Sequence, residues 1–189
     1  MKEVIKTIQS KSEDLTALLA EALARWGEEA LDQDKISLAQ KRFEEALSLD
    51  SVNSNARDGM VRVYYTFVVA ASEKGDKKAA YEHARQMYKY EQSKRTATTF
   101  ARYSGQYAIQ LYEKEIYEVA IQVLRPALQL PYDRSEFQLE GIMSELLTNY
   151  GAKLLNTGQR SEGIRVTRQA VELDSENEVA RKNLRIVGG

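Results

Sequence analysis

The chain of 189 residues has no cysteine, one histidine (His83), two prolines and ten glycines. The missing cysteines exclude disulfides and thiolate metal sites. A lone histidine leaves no His–His metal pair, and no Ser-His-Asp set accompanies it. Lys and Arg number 27 against 28 Asp and Glu, so no global field draws the chain to nucleic acid or to an anionic membrane. No run approaches the roughly 18 apolar residues of a membrane span, and Met1 to Ser10 lacks the apolar stretch of a secretory leader. The chain reads as cytoplasmic, with no membrane insertion.

With so few helix breakers, the apolar spacing is helical throughout. Leu15, Leu18, Leu19, Ala22, Leu23, Trp26 and Ala30 follow the i, i+3, i+4, i+7 rule, as do Met60, Val63, Tyr64, Phe67, Val68 and Ala71. Nothing reads as a strand. Ser10 with Glu13, Ser37 with Gln40 and Ser135 with Gln138 fit capping boxes. The spacing predicts helices over 12–32, 36–49, 54–74, 77–91, 96–113, 116–130, 135–157, 160–173 and 176–187. Pro126, inside the sixth of these, predicts a kink.

The organising signal is a repeat. Ala46-Leu-Ser-Leu-Asp50-Ser-Val-Asn53 returns as Ala170-Val-Glu-Leu-Asp174-Ser-Glu-Asn177, with weaker copies starting at Met87 and Ala127, in steps of 41, 40 and 43 residues. A unit this short cannot bury its own apolar face, so a period of this size means stacked helical hairpins. Small residues stand early in each second helix, at Ala39, Ala80, Ala120 and Gly163. Thirteen residues before each is an aromatic: Trp26, Phe67, Tyr107 and Tyr150. Small residues let two helices approach closely, and the aromatic fills the space beside that contact.

These residues resemble the tetratricopeptide repeat family in a longer variant of about 40 residues per unit. The best matches are Trp26-Gly27 with Ala39, Phe43, Ala46 and Asp50, and Tyr150-Gly151 with Gly163, Ala170 and Asp174. The resemblance implies an all-α fold: a right-handed α-solenoid of four hairpins in a single domain over 1–189. Its units would be about 12–53, 54–94, 95–134 and 135–177, followed by a capping helix over 176–187 that solvates the last apolar face. Residues 54–60, 95–100 and 135–143 exceed the family's 34-residue windows, and each is expected to lengthen the following first helix.

In that family the concave groove is lined by first helices. Carried over by position, the candidate partner-binding residues are Glu21 and Glu28, then Arg62, Tyr65 and Val69, then Arg102, Ile109 and Tyr112, then Thr148 and Ala152. The chaperone-binding subclass grips a C-terminal carboxylate with Lys and Asn where this chain has Ala24 and Glu28, so a chaperone C-terminal tail is not an expected ligand. Tyr65 and Tyr112 are the expected anchors, with Arg62 and Arg102 fixing orientation. The adjacent carboxylates Glu28-Glu29 and Glu44-Glu45 point in different directions round a helix, and Gly75-Asp76 and Gly158-Gln159 lack the context of a phosphate loop. No enzyme signature, cofactor or metal site is expected. The sequence therefore reads as a non-enzymatic protein-interaction module or scaffold that takes a peptide or helical segment of a partner. The alternatives are a self-assembling structural protein, its copies forming a homo-oligomer, and a regulatory domain of a larger protein.

Overall fold

A computed structural model describes residues 2–188. Among the described residues the elements are nine α-helices and no strand: α1 (Lys2–Asp32), α2 (Ile36–Leu49), α3 (Ser54–Glu73), α4 (Lys77–Tyr90), α5 (Lys94–Glu113), α6 (Tyr117–Leu128), α7 (Leu139–Asn156), α8 (Arg160–Leu173) and α9 (Glu178–Ile186). The chain divides into two compact units. One is Met1–Lys74 with Glu82–Gln92, and the other is Gly75–Tyr81 with Ser93–Gly189.

Each hairpin turn places one residue in the left-handed backbone region: Asp34 (φ 57°), Gly75 (φ 70°), Glu115 (φ 57°) and Gly158 (φ 82°). Those four positions recur in the same steps of 41, 40 and 43 as the sequence repeat. In three of the turns the backbone closes in one pattern. Lys35 N–H donates to Ala30 O (2.8 Å), Ile116 N–H to Leu111 O (2.9 Å) and Gln159 N–H to Leu154 O (2.9 Å). The preceding residue donates to the carbonyl three back, as Asp34 does to Leu31 (2.9 Å) and Glu115 to Tyr112 (2.8 Å). This paired closure satisfies the last carbonyls of the first helix and reverses the chain, so the next helix runs back along it.

The repeated octapeptide forms the joint between a second helix and the next element. The Asp50 carboxylate accepts from Val52 N–H (3.1 Å), and Asn53 Oδ1 caps α3 by accepting from Ala56 N–H (2.9 Å). Asp174 does the same for Glu176 N–H (3.0 Å), and Asn177 for Ala180 N–H (2.9 Å). Asp and Asn suit these places because their short side chains reach backbone donors two and three residues on.

Several expected helix starts move. Helix α1 is helical from Lys2, so Ser10 lies within it and caps nothing by position; its side chain is outside the described residues. Helix α2 has Lys35 at its N-cap with no side-chain bond, so Ser37 forms no capping box. The capping box that does form is Ser93 with Thr96, at the start of α5. Helix α7 begins at Leu139 rather than 135, because residues 131–138 make a turn of their own. There Asp133 accepts from the Ser135 N–H (3.0 Å) and hydroxyl (2.6 Å) and pairs with Lys94 (3.0 Å), while its own N–H donates to Thr98 Oγ1 (2.9 Å). The Ser135 hydroxyl and the Lys94 ammonium hold the Asp133 carboxyl down at about 2. Pro126 sits in the last turn of α6, which ends at Leu128 with tight i+3 closures from Gln129 to Pro126 (3.2 Å) and Leu130 to Ala127 (3.1 Å). The expected kink is thus the helix's end, and the carbonyl that Pro126 leaves without an amide belongs to exposed Gln122.

The first unit's core gathers Ala24, Ala30, Ala39, Phe43, Ala46, Ala56, Met60 and Val63. Phe43 lies against two glycines: a Cβ on Gly27 would stand 2.5 Å from its ring, and a Cβ on Gly59 would overlap it. In the second unit α7 and α8 meet backbone to backbone. A Cβ on Gly163 would stand 3.0 Å from Gly151 O, and one on Gly151 would stand 3.2 Å from Gly163 O. Small residues at the expected offsets thus permit close helix approach. Ala39, Ala80, Ala120, Ala46, Met87, Ala127 and Ala170 are all buried. Trp26 departs from its expected packing role. It is half exposed, with the Arg42 guanidinium 3.6 Å from its ring centroid, because Phe43 already fills the space beside Gly27.

Candidate interaction faces

In the first unit the candidate residues of α1 and α3 do come together. Arg62 pairs with Glu28 and lies 3.8 Å from Asp32. One turn on, Tyr65 is 56% exposed, and Val69, a further turn along, is half buried. The positions 62, 65 and 69 share one side of α3. Glu21 anchors the other end of this face by accepting from Asn55 Nδ2 (3.0 and 3.1 Å) and Arg25 Nε (3.1 Å). Those hydrogen bonds, the Arg25 bond first, hold its carboxyl below the usual range. Ala24, at the position where the chaperone-binding subclass has lysine, is fully buried.

In the second unit α5 and α7 carry the remaining candidates. Arg102 pairs with Glu136 (2.6 Å) and lies 5.1 Å from the Phe137 ring centroid. Tyr112 donates its hydroxyl to Glu145 Oε1 (3.1 Å) and accepts from Asn149 Nδ2 (3.1 Å). Burial, then the Glu145 carboxylate, pushes its phenol up. Ile109 is exposed and Ala152 half buried. Thr148 does not face outward. It is 3% exposed, donates to Ser144 O (2.7 Å) and accepts from Asn177 Nδ2 (3.0 Å), which leaves it a structural residue tying α9 to α7.

Both arginines expected to orient a ligand are therefore already ion-paired within the chain. Exposed pairs of this kind contribute about 0–1 kcal/mol, so a partner carboxylate can exchange into them at little cost.

Beside Tyr112 runs a set of residues the positional carry-over left out. The Tyr117 ring lies 5.8 Å from Tyr112 and 6.2 Å from Tyr150, with Lys153 Nζ 5.3 Å from its centroid. Tyr150 donates to Glu118, and that bond, with burial, pushes its phenol up to about 12. Tyr117 and Glu118 open α6, a second helix, so a rule built on first helices passes over them; the aromatic excess near the third turn was the available signal.

His83 packs beside Phe67 and Tyr64, at 5.2 and 6.1 Å between ring centroids. Among the described residues, no group of three or more His, Cys, Asp or Glu is placed to hold a metal ion, and no helix is long and apolar enough to cross a membrane.

No protein-family model and no curated protein matches the sequence. Among solved structures, a TPR repeats protein from Bacteroides fragilis is 14% identical over 89% of this chain and 97% of its own, with a TM-score of 0.45. YrrB, a TPR protein with an unusual peptide-binding site, is 19% identical over 97% of this chain and 80% of its own, with a TM-score of 0.32. A thermophilic TPR protein from Thermus thermophilus is 17% identical over 90% of this chain and 83% of its own, with a TM-score of 0.31.

Proposed function

We propose that the protein is a non-enzymatic interaction module that binds a peptide or helical segment of another protein on the exposed sides of its first helices, the sides that line the concave groove in the tetratricopeptide repeat family. The observation that carries this reading is Tyr65, a large aromatic left 56% exposed in the middle of α3 and flanked by the Glu28–Arg62 pair. An exposed tyrosine beside a charge pair supplies apolar contact area at low entropic cost, with a polar rim that fixes orientation. Ile109 and the Tyr112 ring offer a comparable surface on α5. The ligand class that suits such faces is a segment with apolar anchors and mixed charge. A bare C-terminal carboxylate would meet Glu28 and Asp32 as like charges.

Photo-crosslinking tests the assignment. A photoreactive phenylalanine at position 65 captures the partner, and the same group at Arg168, exposed on α8, does not. Capture only from α8 would place binding on the second helices and overturn the reading.

A further inference from the structure

The charges around Tyr65 do not balance, and the surplus has one sign. Asp58, Arg62, Tyr65, Val69 and Glu73 recur at spacings of three and four residues, so they share one side of α3. Asp58 and Glu73 are exposed, and neither side chain makes an ion pair or a hydrogen bond with a described residue. They stand seven residues before and eight residues after Tyr65, about 10 Å and about 12 Å along the helix axis.

No cation on the same face is left to answer them. Arg62 is claimed by two carboxylates of α1, pairing with Glu28 and lying 3.8 Å from Asp32, whose side chain is 75% exposed. Arg25 is taken by Glu21 (3.1 Å). Arg57 lies off this side, its Nε donating to Tyr90 O (3.2 Å). Lys74, the residue after α3, stands about 100° round the axis from Glu73. The face that α1 and α3 share thus sets five carboxylates against two guanidiniums, with Tyr65 and Val69 in its middle.

We infer that the segment seated on this face is basic: an apolar residue packs on Tyr65 and Val69, and a lysine or arginine to either side meets Asp58 and Glu73. Those flanks fall two turns from the anchor in a helical ligand, or about three residues from it in an extended one. A partner's cations reach the unpaired carboxylates without displacing an ion pair already made. Acidic flanks would add like charge to a surplus of it. The inference rests on the interaction-face reading and narrows its ligand from mixed charge to net positive.

A phage-displayed library of random peptides of 16 residues, the length from Asp58 to Glu73, tests the two readings separately. The baits are the full chain, Asp58→Lys/Glu73→Lys and Tyr65→Ala, each with helical circular dichroism checked first. The wild type is expected to select peptides with an apolar anchor flanked by lysine or arginine. A synthetic copy of one, titrated by fluorescence anisotropy, is expected to bind Asp58→Lys/Glu73→Lys at least about tenfold more weakly, and the wild type more weakly as salt rises. Exchanging its flanking cations for glutamate restores binding to the charge-reversed variant. Selected peptides that need Tyr65 but are neutral or acidic overturn the inference and leave the face reading standing. So do basic peptides whose affinity ignores Asp58→Lys/Glu73→Lys. Peptides indifferent to Tyr65→Ala, or a library from which nothing is selected, overturn both.

Discussion

The ring of Phe43 occupies the space that a side chain on Gly59 would take. The phenylalanine comes from α2, fully buried, and the glycine from α3, so the contact sets how closely the second helix of one hairpin approaches the first helix of the next. Gly27 on α1 meets the same ring from the other side. Three helices are therefore registered on one side chain.

Gly59→Ala is expected to destabilise the chain by about 1–3 kcal/mol, the usual cost of overpacking a filled core. Adding Phe43→Leu to it is expected to recover part of that loss, because the smaller side chain vacates the ring's far edge. Chemical denaturation followed by circular dichroism measures both. Equal costs for the single and double variants would show that the ring and the glycine do not compete for space.

Glu115 holds φ 57° at a position where Gly75 and Gly158 serve the equivalent turns. A left-handed conformation costs a residue with a Cβ on the order of 1 kcal/mol, which glycine does not bear. Glu115→Gly is expected to raise stability by roughly 0.5–1 kcal/mol, whereas Gly158→Ala is expected to lower it by at least as much. Paired denaturation midpoints give the signs. A loss in Glu115→Gly would mean that the ion pair of the Glu115 carboxylate with Lys153 (3.7 Å) outweighs the backbone term.

Tyr132, buried with its hydroxyl on Glu140, and Tyr150, bonded to Glu118, each ionise at about 12 rather than 10. The unfolded chain releases these protons near pH 10 and the folded chain near pH 12. Their contribution is thus fully present below pH 10 and is lost as pH rises from 10 to 12. Ultraviolet titration of the eleven tyrosines is expected to show late ionisation that shrinks in Tyr132→Phe and again in Tyr150→Phe. A single transition near pH 10 with the fold intact would contradict the two hydrogen bonds.

The period was legible because it is written into the turns. The steps of 41, 40 and 43 reappear at Asp34, Gly75, Glu115 and Gly158, and the repeated Asp-x-x-Asn became a turn and a helix cap at both ends of the chain. Helix starts were less legible. Ser37 and Ser135 carry the right neighbours for capping boxes but sit two places too late and in a turn, respectively, while the true box at Ser93 uses Thr96 instead of an acid or amide. The turn over 131–138 depends on Asp133 reaching Lys94 and Thr98, 39 and 35 residues away, and local spacing contains no such contact. On the interaction faces, Glu28 and Arg62 were placed on one surface by their unit positions. Thr148 occupies the unit position of Tyr65 yet is buried like Ala24 at the same position, with its hydroxyl accepting from Asn177.

The central claim is that a partner binds on a first-helix face. Its most direct measurement compares the wild type with a Tyr65→Ala, Arg102→Glu, Tyr112→Ala variant of unchanged helical circular dichroism. A partner captured by the wild type is identified, purified and titrated against both. The account predicts at least a roughly 30-fold loss of affinity in the variant, the size expected when an aromatic anchor is truncated. Equal affinity for both proteins would contradict it.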